Sequence, residues 1–122
     1  MFRRVRTHLR RDLTAALKNR DKVAASALRS ALAAIENAES SGVDSAVPAD
    51  GGEHVAGAAV GVGAAEAERR VLTESDVHAV VAREVSERSA SAQEYVRLGR
   101  EDAADRLRAE ADVLSRYLNA EA

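Results

Sequence analysis

The chain has 122 residues, enough for one small domain, and its 27 Ala with no Trp and one Phe favour closely packed helices over an all-β fold. The lack of Cys excludes disulfide scaffolds and thiolate zinc sites, and no run of 18 apolar residues is present to span a membrane. The net charge of −2 hides an asymmetry, because residues 1–29 hold nine Arg and Lys against two Asp.

Two amphipathic helices are predicted in the first 39 residues. Apolar side chains recur at helical spacing over residues 2–19, from Phe2 to Leu17, and again over residues 22–39. Asn19-Arg20-Asp21 between them is typical of a tight turn, with Asp21 placed to cap the second helix. A short turn between two such segments predicts a helical hairpin over residues 1–39.

Residues 40–72 differ in composition from the rest of the chain. They hold six of the seven Gly and the only Pro, Pro48, and show no usable period. We therefore expect a long flexible loop, either an insertion or a linker.

Two further helices are predicted after this segment. Thr73 and Asp76 form a signal similar to a capping box, and apolar spacing then continues to Leu98, where Gly99 is a natural stop. A last amphipathic helix is predicted over residues 101–119. Residues 73–122 would then complete one all-α four-helix bundle with the hairpin of residues 1–39.

The basic segment at residues 1–29 permits two interpretations. It could contact phosphate or an acidic partner, or it could neutralise the acidic helices of its own chain, which we slightly favour. The Arg-rich start could also be a transit peptide or a membrane-surface helix, but a first helix of the bundle explains it better.

No motif in the sequence predicts catalysis or a cofactor. His8, His54 and His78 lie in separate segments, and Glu74 with His78 is the only helical pair, which is typical of a surface contact. A phosphate-binding loop and a nucleophile elbow are both lacking. We therefore predict no catalytic residue, no metal site and no cofactor.

Arg29 and Asn37 stand out because both lie near the apolar seam of the second helix. A half-buried guanidinium needs a partner. The structural interpretation is an inter-helix salt bridge from Arg29 to Glu84 or Glu94, and the alternative is a recognition site. We favour the structural interpretation.

Two groups of residues resemble the GatB/YqeY family. Before the long loop, the runs are Ala16-Leu17-Lys18, Arg20-Asp21-Lys22, Leu28-Arg29 and residues 33–39. After it, they are residues 72–77, Glu84-Val85 with Arg88, residues 99–102, and Glu110-Ala111 followed by Val113-Leu114 and Tyr117-Leu118.

The resemblance implies an all-helical relative of the tail region of the aspartyl/glutamyl-tRNA amidotransferase B subunit. Two departures from the family pattern are the long loop and the end near Tyr117-Leu118-Asn119, where relatives continue into a three-helix part associated with tRNA contact. The family also carries an activity label, carbon–nitrogen ligation with glutamine as amido-N-donor. That chemistry needs an amidase and an ATP-dependent catalytic domain, so partner subunits would have to supply it.

We expect a non-catalytic module, cytoplasmic and bacterial in type, that docks RNA, tRNA or a translation-linked protein. The alternative is an accessory role in glutamine-dependent tRNA amidation beside an amidotransferase-related protein. A homodimer is a further expectation. The candidate binding residues are Arg3, Arg4, Arg6, Arg10, Arg11, Arg29, Asn37, Glu84, Arg88 and Arg100.

Overall fold

The fold is a four-helix bundle, described by a computed structural model for residues 4–40 and 71–119. The helices are α1 (Val5–Lys18), α2 (Lys22–Ser40), α3 (Glu74–Arg97) and α4 (Glu101–Asn119). Within these described ranges no strand occurs, and no helix is long and apolar enough to cross a membrane. The predicted helix bounds are confirmed to within a few residues. Of the loop predicted over residues 40–72, residues 41–70 lie outside the described residues, as do Phe2 and Arg3, and Ser40 is the last residue of α2.

The chain divides into two compact units, Met1–Ile35 with Thr73–Ala122, and Glu36–Leu72. In the second unit the described residues are the last turn of α2, over residues 36–40, and residues 71–72. The first unit holds α1, α3, α4 and most of α2, so it contains the core and all the contacts described below.

The core of the first unit is built from small side chains, as the composition predicts. Its largest fully buried residues are Leu9, Leu28, Ile35, Val81 and Leu114. Val5, Val77 and seven Ala complete it, six of the Ala on α2, α3 and α4 and one on α1. Leu17, predicted on the apolar seam of α1, is 48% exposed, because it lies in the last turn of the helix, where the seam leaves the core.

The tightest helix pair is α3 with α4, joined by only three residues. Ala92 on α3 and Ala104 and Ala111 on α4 are all buried. A methyl side chain lets two helix backbones approach closely, and close-packed interiors gain dispersion energy from that approach. The high Ala content is therefore used to build a closely packed helical hairpin.

Side chains cap two helix starts as the sequence indicated. The Oδ1 atom of Asp21 accepts a hydrogen bond of 3.0 Å from the N–H of Ala24 at the start of α2. At α3, Thr73 and Asp76 form a reciprocal capping box, with hydrogen bonds of 2.9 and 3.0 Å. These bonds satisfy N–H groups that a helix leaves unpaired at its start.

Both tight turns are Schellman motifs. After α1, the N–H of Asp21 donates to the carbonyl of Ala16 at 2.9 Å and that of Arg20 to Leu17 at 3.2 Å. After α3, Arg100 and Gly99 repeat the two bonds to Tyr95 and Val96. The motif requires a left-handed residue, which is Gly99 (φ 77°) in one turn and Arg20 (φ 57°) in the other.

Substituting the left-handed residue should change stability in opposite directions in the two turns. A side chain in this region costs about 1 to 2 kcal/mol, partly offset by the greater freedom of glycine in the unfolded chain. Arg20→Gly should therefore raise the free energy of unfolding by about 0.5 to 1 kcal/mol. Gly99→Ala should lower it by a similar amount. Urea unfolding followed by circular dichroism measures both, and an Arg20→Gly variant less stable than the parent would contradict the interpretation.

Candidate functional site

A polar network joins α2, α3 and α4 inside the bundle. The guanidinium of Arg88 donates from Nη1 to Glu84 Oε1 at 2.8 Å and from Nε to Glu110 Oε1 at 3.0 Å. Glu84 Oε1 also accepts from the hydroxyl of Ser30 on α2, at 2.8 Å. The side chains of Arg88 and Glu84 are 13% exposed, and that of Glu110 is 8% exposed.

The network reaches the surface through Glu110. Its second carboxylate oxygen lies 3.5 Å from Nε of Arg106, whose side chain is 60% exposed. No buried side-chain nitrogen or oxygen lacks a partner in the part of the chain that the structure describes. Every buried polar atom of the network therefore has a partner, and Arg106 is the member of the network that is exposed to solvent.

The charge of Arg88 is held firmly in this environment. Burial alone would lower the pKa of Arg88, but the hydrogen bonds that it donates to Glu84 and Glu110 and the negative charges of these two groups outweigh it. The pKa of Arg88 is therefore raised above its ordinary value. A permanently charged guanidinium that pairs with two carboxylates holds α3 and α4 together and does not exchange protons.

A second polar contact ties α1 to α4. The hydroxyl of Tyr117 donates to the carboxylate of Asp12. Burial, followed by this hydrogen bond and the charge of Asp12, raises the pKa of Tyr117 well above its ordinary value. Asp12 is the only acid in α1, so this contact turns the helix's one negative charge toward α4.

The outer side of α1 is a basic face, formed by Arg4, Arg10, Arg11 and Lys18, all of them exposed. Arg11 forms an ion pair of 3.3 Å with its neighbour Asp12. Arg4, Arg10 and Lys18 form no ion pair with any residue in the described ranges. The basic face therefore presents positive charge to solvent.

A groove opens where α1 ends and α2 begins. It encloses about 390 Å³. Its lining comprises Ala16, Leu17, Arg20, Asp21, Lys22, Ala25, Ser26, Arg29 and Arg106. Four of these nine residues are cations from three separate segments, so the groove is strongly basic.

The predicted site residues do not form one cluster. Glu84 and Arg88, four residues apart on α3, form an ion pair with both side chains half-buried. Arg29 is exposed and lines the groove. Arg100 is exposed, with its guanidinium 5.8 Å from the ring centre of Tyr95.

The other predicted residues are distributed as follows. Arg4, Arg10 and Arg11 lie on the basic face, and Arg6 is half-buried beside it. Asn37 is exposed and belongs to the second compact unit. Arg3 lies outside the described residues.

The expected bridge from Arg29 to Glu84 or Glu94 is absent from the ion pairs within residues 4–40 and 71–119. Glu84 is used by Arg88 and Ser30, and Glu94 pairs with Arg97. Glu74 likewise has a different partner from the expected one, because its Oε1 accepts from the N–H of Val5 at 3.2 Å. It thereby caps α1, which has no side-chain cap of its own. Across the described helices, no three potential metal ligands converge.

Sequence reasoning missed Glu110, Ser30 and Arg106. For Glu110 a signal exists, because it falls on the apolar seam of α4 between Leu107 and Leu114. A charged residue within such a seam indicates a buried ion pair. Ser30 and Arg106 carry no comparable signal in the sequence.

Removing the cation from the network should lower the free energy of unfolding by more than the loss of an exposed ion pair does. Arg88→Met leaves two carboxylates with little solvent, so the free energy of unfolding should fall by about 3 kcal/mol. Arg88→Met/Glu110→Leu should be less destabilising than the sum of its single changes, by about 1 to 3 kcal/mol. Arg97→Met, which removes an exposed pair, is the matched control and should cost below about 1 kcal/mol. Strict additivity in the urea double-mutant cycle would refute the coupling.

Tyr117 should make stability fall at high pH. Its pKa is higher in the folded than in the unfolded chain, so above about pH 10 the unfolded state loses a proton that the folded state keeps. The contribution of Tyr117 to the free energy of unfolding is therefore fully present below about pH 10. It declines above that pH by at most about 1.4 kcal/mol per pH unit. Urea unfolding between pH 8 and pH 11 should show this decline in the parent and a weaker one in Tyr117→Phe. Identical slopes in the two proteins would exclude the contribution.

Comparison with known proteins identifies the family. A family model described as Yqey-like protein matches residues 55–122, which is more than half of the chain and includes α3 and α4. The similarity noted in residues 16–39 lies outside the matched range. No curated protein and no solved structure matches the chain. On the family match, the chain belongs to the YqeY-like protein family.

Proposed function

We propose that this protein is a helical module that docks RNA, tRNA included, through the basic face of α1. The observation that carries the proposal is the exposure of Arg4, Arg10 and Lys18 without an ion-pair partner among the described residues. Exposed cations on one helical face neutralise phosphates and release condensed counterions, which drives association with nucleic acid.

The shape of the basic face suits a polyanion. From Arg4 to Lys18 it extends over 14 residue steps, or about 21 Å along the helix. Thr7 and Thr14, the residues between the cations on the same side, are exposed as well. Asp12, the one acid of α1, accepts from Tyr117 with one carboxylate oxygen and pairs with Arg11 through the other, so within the helix it offsets one of the four cations and leaves Arg4, Arg10 and Lys18 without a paired carboxylate.

The competing interpretation is that the basic segment neutralises the acidic helices of its own chain. Against it, several acids of α3 and α4 are paired with arginines of those same helices. Glu84 and Glu110 contact Arg88, and Asp105 lies 3.2 Å from Arg108. Arg4, Arg10 and Lys18 are therefore left for an external partner.

A role beside an amidotransferase is compatible with the same surface. The accessory function in tRNA amidation that the family resemblance implies also begins with tRNA, and its catalysis would come from partner subunits. A translation-linked protein remains the alternative occupant if RNA does not bind.

The test is a titration with labelled total tRNA at about 50 and about 200 mM salt. With the four cations of the basic face neutralising four phosphates, affinity should fall about 50- to 150-fold between the two salt concentrations. Arg4→Glu/Arg10→Glu should weaken binding at least about tenfold and reduce the log–log salt slope by about 1.4 to 1.8. Arg4 is the N-cap residue of α1, where the helix dipole favours an acid, and Arg10 is exposed, so both changes should leave the helix intact.

The matched control is Arg83→Glu/Arg108→Glu, which changes the net charge equally at exposed positions of α3 and α4. It should bind tRNA within about threefold of the parent protein. Equal losses in both variants would mean that only net charge matters and would refute a specific face. Absence of binding at about 50 mM salt would refute RNA docking altogether.

A further inference from the structure

We propose that the groove between α1 and α2 is a phosphate site that holds one nucleotide unit of a docked RNA. This inference rests on the proposed function and locates within it the point of closest contact. The carrying observations are the cavity, its cations from three segments, and its apolar wall.

The size of the groove fits a small polar ligand. At about 390 Å³ it lies within the range of about 300 to 1,000 Å³ typical of ligand pockets. Ala16 and Ala25 are both buried and form its floor, while Leu17 is 48% exposed. An apolar side chain kept in solvent beside a cluster of cations is suited to a ligand with an apolar body and an anionic group, such as a nucleotide.

The charge of the groove is available to a ligand. Arg20, Lys22 and Arg29 are exposed and form no ion pair with a described residue. Arg106 is held at its Nε by Glu110, at 3.5 Å, which leaves its other guanidinium nitrogens for a second acceptor. Guanidinium groups match phosphate oxygens in geometry as well as in charge.

The one acid in the lining does not cancel this charge. Asp21 caps α2, its Oδ1 bonded to the N–H of Ala24 at 3.0 Å. The start of α2 contributes a positive partial charge of its own beside Lys22. The lining therefore holds four cations against one carboxylate that is committed to a helix N–H.

The groove also continues the basic face. Lys18 ends α1, and Arg20 and Lys22 follow it within four residues. A strand that lies along α1 would thus reach the groove without leaving positive surface. A single strand can insert one nucleotide there, whereas a duplex cannot place a base against Leu17.

The experiment compares Lys22→Gln/Arg29→Gln with the matched control Arg83→Gln/Arg108→Gln, both titrated with labelled total tRNA. Because the two groove residues form no described ion pair, the fold should be unaffected. The groove variant should bind about tenfold more weakly, with a salt slope reduced by about 1.4 to 1.8. The control should keep the affinity and slope of the parent.

A second arm uses AMP, followed by amide NMR of the parent protein. Shift changes confined to residues 16–29 and the neighbourhood of Arg106, together with the tRNA result, identify the groove as a phosphate site for either source. If the parent binds tRNA but the groove variant binds equally well, the groove inference is overturned and the proposed function stands. If tRNA does not bind, the proposed function fails. AMP shifts at residues 16–29 and near Arg106 then support a free nucleotide as the ligand, and their absence overturns the site.

Discussion

The constraint on which the bundle depends is the pairing of Arg88 with Glu84 and Glu110. A core made largely of Ala is nearly smooth, so apolar burial alone does little to select one helix register over another. The guanidinium, in contrast, is satisfied only where one carboxylate from α3 and one from α4 stand 2.8 and 3.0 Å away. A misaligned register would leave a buried charge without a partner, which costs several kcal/mol. Ser30 extends the same requirement to α2.

The pairing of acidic side chains with arginines of α3 and α4 also determines which cations of the bundle keep no ion-pair partner. The first 29 residues carry a net charge of +7 and the other 93 a net charge of −9. Among the described residues, Glu84, Asp105 and Glu110 have arginine partners on α3 and α4, and no ion pair joins an acid of these helices to Arg4, Arg10 or Lys18. The basic face of α1 consequently stays positive because these carboxylates pair with arginines of α3 and α4. The network that fixes the register thereby also leaves the outer surface of α1 positive.

Much of the fold could be predicted from the sequence because its signals are local. Caps at Asp21 and Thr73, the stop at Gly99 and the helical spacing of apolar residues give the four helices to within a few residues. The candidate site depended on contacts that local signals do not carry. Arg106 joins residues some eighty positions away in the groove, and Arg29 faces solvent because only part of a helical seam is buried. Glu110 could have been found, since a carboxylate within an apolar seam requires a cation opposite it.

The two Schellman turns differ in the conformational energy of their left-handed residue. They have the same hydrogen bonds, yet one has Gly99 at the left-handed position and the other has Arg20. A Cβ at Gly99 would meet nothing within 4 Å, so space does not require glycine there and the backbone conformation does. The same conformation disfavours Arg20, and no ion pair within the described ranges compensates it. What its side chain does contribute is positive charge in the groove. Strained residues concentrate where a side chain is needed for binding, and here the strained residue is one of the four cations that line the groove.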